Sequence, residues 1–340
     1  MPLCFGSLFR KRSNSEKLPQ IQEEMEMNVL CIGLAVIDIT ARPVSKEDDW
    51  QEKQSIEEIG IQLGGDAVNQ GVYLKRLGMD CGLVICVGAD STGQMLKGTL
   101  RQQGIDTSRV CVREGARTGT SMILVDRNGE RRIFSATGVE REIRMEDLPD
   151  PIPEGVQAIT LASLYGLDNL ERDGLEDYLA RARKRGILVF ADTVYDKYQL
   201  GLDGIRHLLP QIDYFLPSLY EAQALTGTDT PEQTAAAFRQ LGVKNVLIKC
   251  GGDGIYMDAS TYTGWVSAMK VDPLDTTGAG DCFVASFLTG IVKGYSEKEA
   301  CAMACCAASY STLFLGASTA DLSWEKVRTL AQKHGGLIIG

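Results

Sequence analysis

This chain of 340 residues has little of what several common functions require. It contains two histidines, and its ten cysteines form no Cys-x-x-Cys pair. A zinc site built from such pairs is therefore not expected. Cys301, Cys305 and Cys306 share one predicted helix, and a metal there would want for partners. Most cysteines fall in apolar runs, where the thiol acts as a small hydrophobe, as in a reduced, cytoplasmic protein. Apolar runs long enough to span a bilayer are missing too, so no membrane is expected. The net charge is −10, which argues against nucleic acid as the main partner. Two nucleotide signatures also fail. Gly88-Ala89-Asp90-Ser91-Thr92-Gly93 has Walker A spacing, but Gln94-Met95 follows in place of Lys and a hydroxyl. Gly278-Ala279-Gly280 lacks the third glycine of a dinucleotide fingerprint and follows no clean strand, so a dehydrogenase is not expected.

What is present centres on Asp275-Thr276-Thr277-Gly278-Ala279-Gly280-Asp281-Cys282-Phe283. Gly278, Ala279 and Gly280 let a backbone turn approach a bulky anion. The apolar run Phe283–Leu288 reads as a buried helix, so the turn lies at a helix N-terminus. Free N–H groups and the positive dipole end favour phosphate there. A carboxylate on the same turn, Asp281, is out of place beside an anion unless it takes a proton from a second reactant.

Around this turn the chain alternates. Val29–Gly33 is a continuous apolar run, as for a strand buried on both faces. A helix follows Gly64-Gly65, closed by Gly78. Strands are expected near 82–88, 109–112, 157–161, 187–192, 212–216 and 245–249. Helices are expected near 93–103, 170–185, 218–226, 231–241, 280–294, 296–314 and 323–334, with a hairpin over 254–268. Such alternation predicts an α/β fold with a doubly wound, mostly parallel sheet whose ligands bind beyond the carboxyl ends of the strands. Residues 28–36, 64–114 and 139–335 form that body. Two polar β-rich interruptions, 37–63 and 115–138, the latter turning at Asp126–Gly129, pair as a small β-sheet lid. Residues 1–27 read as a disordered tail around Arg10-Lys11-Arg12, and Met25 or Met27 offers a second start.

The Asp-Thr-x-Gly-Ala-Gly-Asp-x-Phe pattern resembles the C-terminal motif of the ribokinase-like carbohydrate kinases, the PfkB family. Gly64-Gly65-Asp66-Ala67-Val68-Asn69 with Leu77-Gly78 is similar to its N-terminal motif. The glycines permit close approach of substrate, and Asn69 both donates to and accepts from hydroxyls; a Gly-Gly turn with an ordinary helical Asn is the plainer alternative. Asp38, at the end of the first strand, stands where the family binds sugar hydroxyls, or is a simple turn residue. Pro217-Ser218-Leu219-Tyr220-Glu221 is similar to Pro-Asn-x-x-Glu, which places Glu221 near magnesium through water. A first-turn carboxylate favoured by the dipole explains Glu221 equally well. Ser218 replaces the usual Asn and suits an N-cap. Lys249, Gly251 and Gly254, with Thr276, match the segments that border the nucleotide.

The resemblance spans about residues 28–330 and implies ATP-dependent phosphorylation of a hydroxyl, a primary alcohol of a sugar or sugar-like molecule. Asp281 is then the general base, and Gly278, Ala279 and Gly280 form the anion hole. ATP and Mg2+ are the implied cofactors. Asp275 and Thr277 would hold a monovalent cation, with stimulation by potassium. Ala162-Ser163-Leu164-Tyr165 lacks the carboxylate expected of ribokinase itself. Tyr165 could stack on a base, which leaves a nucleoside kinase as the alternative, or pack inside the fold. A catalytically silent sugar-binding regulator is the alternative of another class. Exposed lid edges would let two copies pair as a homodimer.

Overall fold

The computed structural model describes residues 27–45, 55–127 and 131–334. The basic tail and the Asn128-Gly129 part of the expected turn lie outside the described residues. Among these the chain runs β1 (Val29–Ile32), β2 (Val36–Arg42), β3 (Glu58–Gly64), α1 (Asp66–Arg76), β4 (Cys81–Gly88), α2 (Ser91–Gln102), β5 (Val110–Arg113), β6 (Thr120–Val125) and β7 (Arg131–Ala136). It continues with β8 (Ala158–Leu164), α3 (Asp168–Arg172), α4 (Leu175–Lys184), β9 (Leu188–Thr193), β10 (Tyr214–Phe215), α5 (Leu219–Thr226) and α6 (Pro231–Gln240). Last come β11 (Asn245–Lys249), β12 (Ile255–Asp258), β13 (Thr263–Val266), α7 (Ala279–Val292), α8 (Glu297–Ser311) and α9 (Trp324–His334).

Nine strands form one sheet in the order β13-β12-β11-β10-β9-β8-β1-β4-β5. It is parallel from β11 through β5, while β12 and β13 add an antiparallel hairpin at one edge. Strand order turns back at β1, between β8 and β4, so a crevice opens at the carboxyl ends of these strands. Two apolar layers cover the sheet. Val68, Leu74, Phe283, Phe287, Met303 and their neighbours fill one face under α1, α7 and α8. Leu179, Phe215, Phe238 and others fill the opposite face under α4 and α6. This is the doubly wound, mostly parallel α/β arrangement expected, with a small separate sheet ordered β3-β2-β6-β7.

Three expectations need correction. The helix over 170–185 is two helices, because Gly174 takes a left-handed φ of 83° between α3 and α4. The helix over 296–314 stops at Ser311. Asp38 does not end the first strand: β1 stops at Ile32, and Asp38 lies within β2 of the small sheet.

Candidate active site

The site is assembled where α1 and α7 begin. Gly65 precedes α1 with φ 92°, and a Cβ there would meet the Leu34 carbonyl oxygen at 2.5 Å. Gly278 precedes α7 with φ 72°, and its Cβ would lie 2.0 Å from the carbonyl oxygen of Ala317. Both positions thus require glycine for the close passage of backbone as well as for the dihedral.

These two starts bring Asn69 and Asp281 together. Asn69 Nδ2 donates to Asp281 Oδ2 at 2.9 Å, and Gln70 Nε2 donates to Oδ1 at 3.3 Å. Thr160 Oγ1 in turn donates to Gln70 Oε1 at 2.9 Å, which fixes the amide's orientation. The other end of Asn69 is bare: its Oδ1 is buried without a partner. Burial, then the nearby Asp66 charge, hold Asp281 well above the usual carboxylate range. Asp66 is itself pushed up to about 6 by burial, although the Ser163 hydroxyl bonds it at 3.0 Å.

Beside the turn stands Lys249, at the carboxyl end of β11. A Cβ on Gly280 would lie 3.3 Å from its Nζ, so the ammonium sits against the turn. Lys249 pairs with Asp192, at the end of β9. Burial opposes its charge, yet the Asp192 carboxylate raises its pKa. Burial lifts Asp192 to about 7 against the pull of Lys249. Glu221, in the first turn of α5, bonds the amide and hydroxyl of Ser218 at 3.2 and 2.6 Å and the Thr193 hydroxyl at 3.0 Å. Ser218 is the N-cap of that helix and forms a capping box with Glu221.

A cavity of about 650 Å³ joins these parts. Its walls include Gly278, Ala279, Gly280 and Asp281 from the turn, with Thr276, Glu221, Lys249, Gly251 and Gly254. Gly254 takes φ 107°, and a Cβ there would meet the Val266 carbonyl oxygen at 2.2 Å. Asn69 adjoins the cavity through Asp281. Asp38 and Gly64 stand apart from its walls but touch each other, since a Cβ on Gly64 would lie 2.1 Å from Asp38 Oδ2. Asp38 is raised to about 6 by burial, with the Ser121 hydroxyl opposing and the Asp66 charge adding. Asp275 and Thr277 lie outside this cavity, and Arg131 of the small sheet bonds both. Tyr165 is packed inside, its hydroxyl donating to the Gly201 carbonyl at 2.7 Å.

Sequence reasoning missed Asp66, Gln70, Asp192 and Arg131. Asp192 carried a usable signal, a carboxylate closing the apolar run Val189-Phe190-Ala191 at a strand's carboxyl end. Asp66 follows Gly64-Gly65 directly and opens a helix. Arg131, on an exposed strand, offered none.

A family model described as pfkB family carbohydrate kinase matches residues 26–324. The chain is 26% identical over 302 residues to an ATP-dependent 6-phosphofructokinase of Thermoanaerobacterium thermosaccharolyticum, covering 87% of this chain and 91% of that one. It is 29% identical over 266 residues to a ribokinase of Haemophilus influenzae, covering 76% and 84%. A ribokinase of Thermotoga maritima has the same fold, with a TM-score of 0.75 and 26% identity over 90% of this chain and 99% of that one.

Proposed function

The chain belongs to the pfkB family of carbohydrate kinases, and we propose that this phosphotransferase moves the γ-phosphoryl group of ATP to a primary hydroxyl of a neutral sugar or sugar-like molecule. The observation that carries this reading is the placement of Asp281. Its carboxylate sits in the first turn of α7, on the wall of the cavity that the Gly278–Gly280 turn also lines. As the acceptor oxygen forms its bond to phosphorus, the hydroxyl proton passes to Asp281, and the bond to the bridging oxygen of ADP breaks. The raised pKa of Asp281 makes its ionised form the better proton acceptor. Amides at the start of α7 face the transferring oxygens, and the Lys249 ammonium adds positive charge beside them.

The acceptor side favours an uncharged polyol. Asp66 and Asp281 line the cavity, Asp38 lies near enough to Asp66 to feel its charge, and the bare Asn69 Oδ1 accepts a hydroxyl. Where ionised, Asp66 and Asp281 disfavour a second negative charge beside them. A magnesium ion that comes with the nucleotide would neutralise the donor phosphates. Among the described residues no three acidic, His or Cys side chains converge to chelate such an ion directly. Glu221 would therefore act on it through water, with Asp192 close by. The small sheet covers the acceptor side through Asp38 and excludes competing water. Its outer face carries Ile59, Ile61, Met122 and Phe134, all exposed, through which two copies would pair.

The test is a coupled ADP-release assay across neutral sugars, sugar phosphates and nucleosides. Turnover with a neutral sugar supports the reading. Turnover confined to sugar phosphates would overturn the acceptor assignment, and the absence of turnover with every acceptor would overturn the reaction.

A further inference from the structure

Asp275 lies three residues ahead of Gly278, where the turn that faces phosphate begins, and both its carboxylate oxygens already accept hydrogen bonds. Oδ1 accepts from the Thr277 amide at 2.9 Å, the Thr277 hydroxyl at 2.7 Å and Arg131 Nη2 at 2.6 Å. Oδ2 accepts from the Gly316 amide at 2.8 Å. The Thr277 hydroxyl oxygen accepts in turn from Arg131 Nη1. Both carboxylate oxygens of Asp275 and the hydroxyl oxygen of Thr277, the side-chain oxygens a monovalent cation would share here with a nearby backbone carbonyl, thus face N–H or O–H donors. A permanently charged guanidinium stands in the same place, and a second cation beside it is repelled. The residues do not fit the potassium ion that the family resemblance implied.

The small sheet delivers this charge by its alternation. Arg131 pairs with Val125 across β6 and β7, and Ser135 pairs with Ser121, so Arg131 shares the face that carries Asp38. That face lines a second cavity of about 650 Å³ against the 273–275 and 315–316 loops.

We infer that Arg131 is the resident cation of the phosphate-side turn, and that the protein works without an added monovalent metal ion. Arg131 is then a positioning residue, acting through Asp275. It neutralises a carboxylate that would otherwise repel the incoming phosphate, and it ties the acceptor-side sheet to the donor-side turn. The inference rests on the phosphotransfer reading above for its effect on rate, but its structural half stands without it.

The test compares potassium chloride with choline chloride at equal ionic strength, using the full chain. Thermal denaturation and ADP release with an accepted sugar are both measured. Wild type should show the same midpoint in both salts and rates within about twofold. Arg131→Ala should lose at least about tenfold in kcat in choline. It should also gain a potassium-dependent rise of about a few degrees in midpoint, with recovery of rate. An arginine with a merely structural role would lower the midpoint without creating any response to potassium, and that outcome overturns the inference. So does a wild-type protein whose midpoint or rate climbs severalfold or by degrees in potassium. If no sugar supports ADP release, the phosphotransfer reading fails while the denaturation arm still decides Arg131.

Discussion

Asn69 and Asp281 are 212 residues apart in the chain and meet through a 2.9 Å hydrogen bond from Nδ2 to Oδ2. The bond orients the carboxylate and leaves Asn69 Oδ1 free to accept from a substrate hydroxyl. Replacing Asn69 with Ala should lower kcat/KM by about ten- to a hundredfold, since both functions are lost. Asp281→Asn should cost about a thousandfold in turnover with ATP binding nearly intact. The double variant should lose less than the product of the two single losses, because the orienting bond between them is common to both. Steady-state ADP release and nucleotide titration measure both; additive losses would separate the residues.

Gly64 and Asp38 provide a second coupled pair. A methyl group on Gly64 would fall 2.1 Å from Asp38 Oδ2, so Gly64→Ala must displace that carboxylate. The expected result is a rise in KM for the sugar of about tenfold, with KM for ATP unchanged. Asp38→Ala should give the same pattern, and combining the two should add little. A change in KM for ATP of equal size would place Asp38 elsewhere in the reaction.

Much of this site was legible because local chemistry specified it. Gly278 and Gly65 announce tight turns that no other residue tolerates, and Asp281 beside a glycine-rich turn at a helix start invites a chemical explanation. Asp192 and Lys249 were harder. They close two strands 57 residues apart, and their pairing depends on β9 and β11 flanking β10. Asp38 reads as a strand-end residue because the apolar run before it carries no sign that the chain leaves the main sheet after Ile32. Arg131 was illegible for a related reason: β7 is exposed along its length, and exposure hides a side chain whose partner is 144 residues away.

Glycine placement makes a paired prediction. Gly278→Ala forces a left-handed φ of 72° on alanine and a contact of 2.0 Å with Ala317 O. Strain of about 1–3 kcal/mol should appear as a lower denaturation midpoint, with loss of turnover as the amides proposed to hold phosphate move. Gly98→Ala, on α2 away from the cavity where a Cβ would meet open space, is the control and should keep wild-type turnover without loss of stability. Equal effects at both positions would contradict this account of the turn.

The Lys249–Asp192 pair separates stability from activity. Lys249→Met leaves the buried Asp192 carboxylate without its counter-charge and should destabilise by about 3–5 kcal/mol. Adding Asp192→Leu should recover most of that stability, since two apolar side chains replace two charges. Turnover should stay low in both, because the ammonium beside Gly280 is gone. Chemical denaturation and ADP release measure the two halves. Recovery of turnover in the double variant would remove Lys249 from the reaction.

Stability should rise on mild acidification, and the direction follows from burial. Asp38 and Asp66 are lifted from 3.8 to about 6, Asp192 from 3.8 to about 7 and Glu171 from 4.5 to about 7, in each case chiefly by desolvation. A raised folded-state pKa means that the folded protein binds the proton more tightly than the unfolded chain. The resulting stability is complete below the unfolded values and is lost as pH climbs through about 6 to 7. Asp90, Asp147 and Asp275 are shifted down and act oppositely, losing their contribution as pH falls below about 4. The denaturation midpoint should therefore peak near pH 5 and decline toward pH 8, on the order expected for several buried carboxyls. Glu171 isolates the effect, because it lies away from the large cavity and accepts through Oε1 from the Tyr165 and Leu167 amides at 2.6 and 3.2 Å. Glutamine keeps that acceptor without the buried charge. Glu171→Gln should raise stability at pH 8 by on the order of 2 kcal/mol and match wild type at pH 4. A midpoint that falls on substitution at pH 8 would show that the ionised carboxylate stabilises this fold.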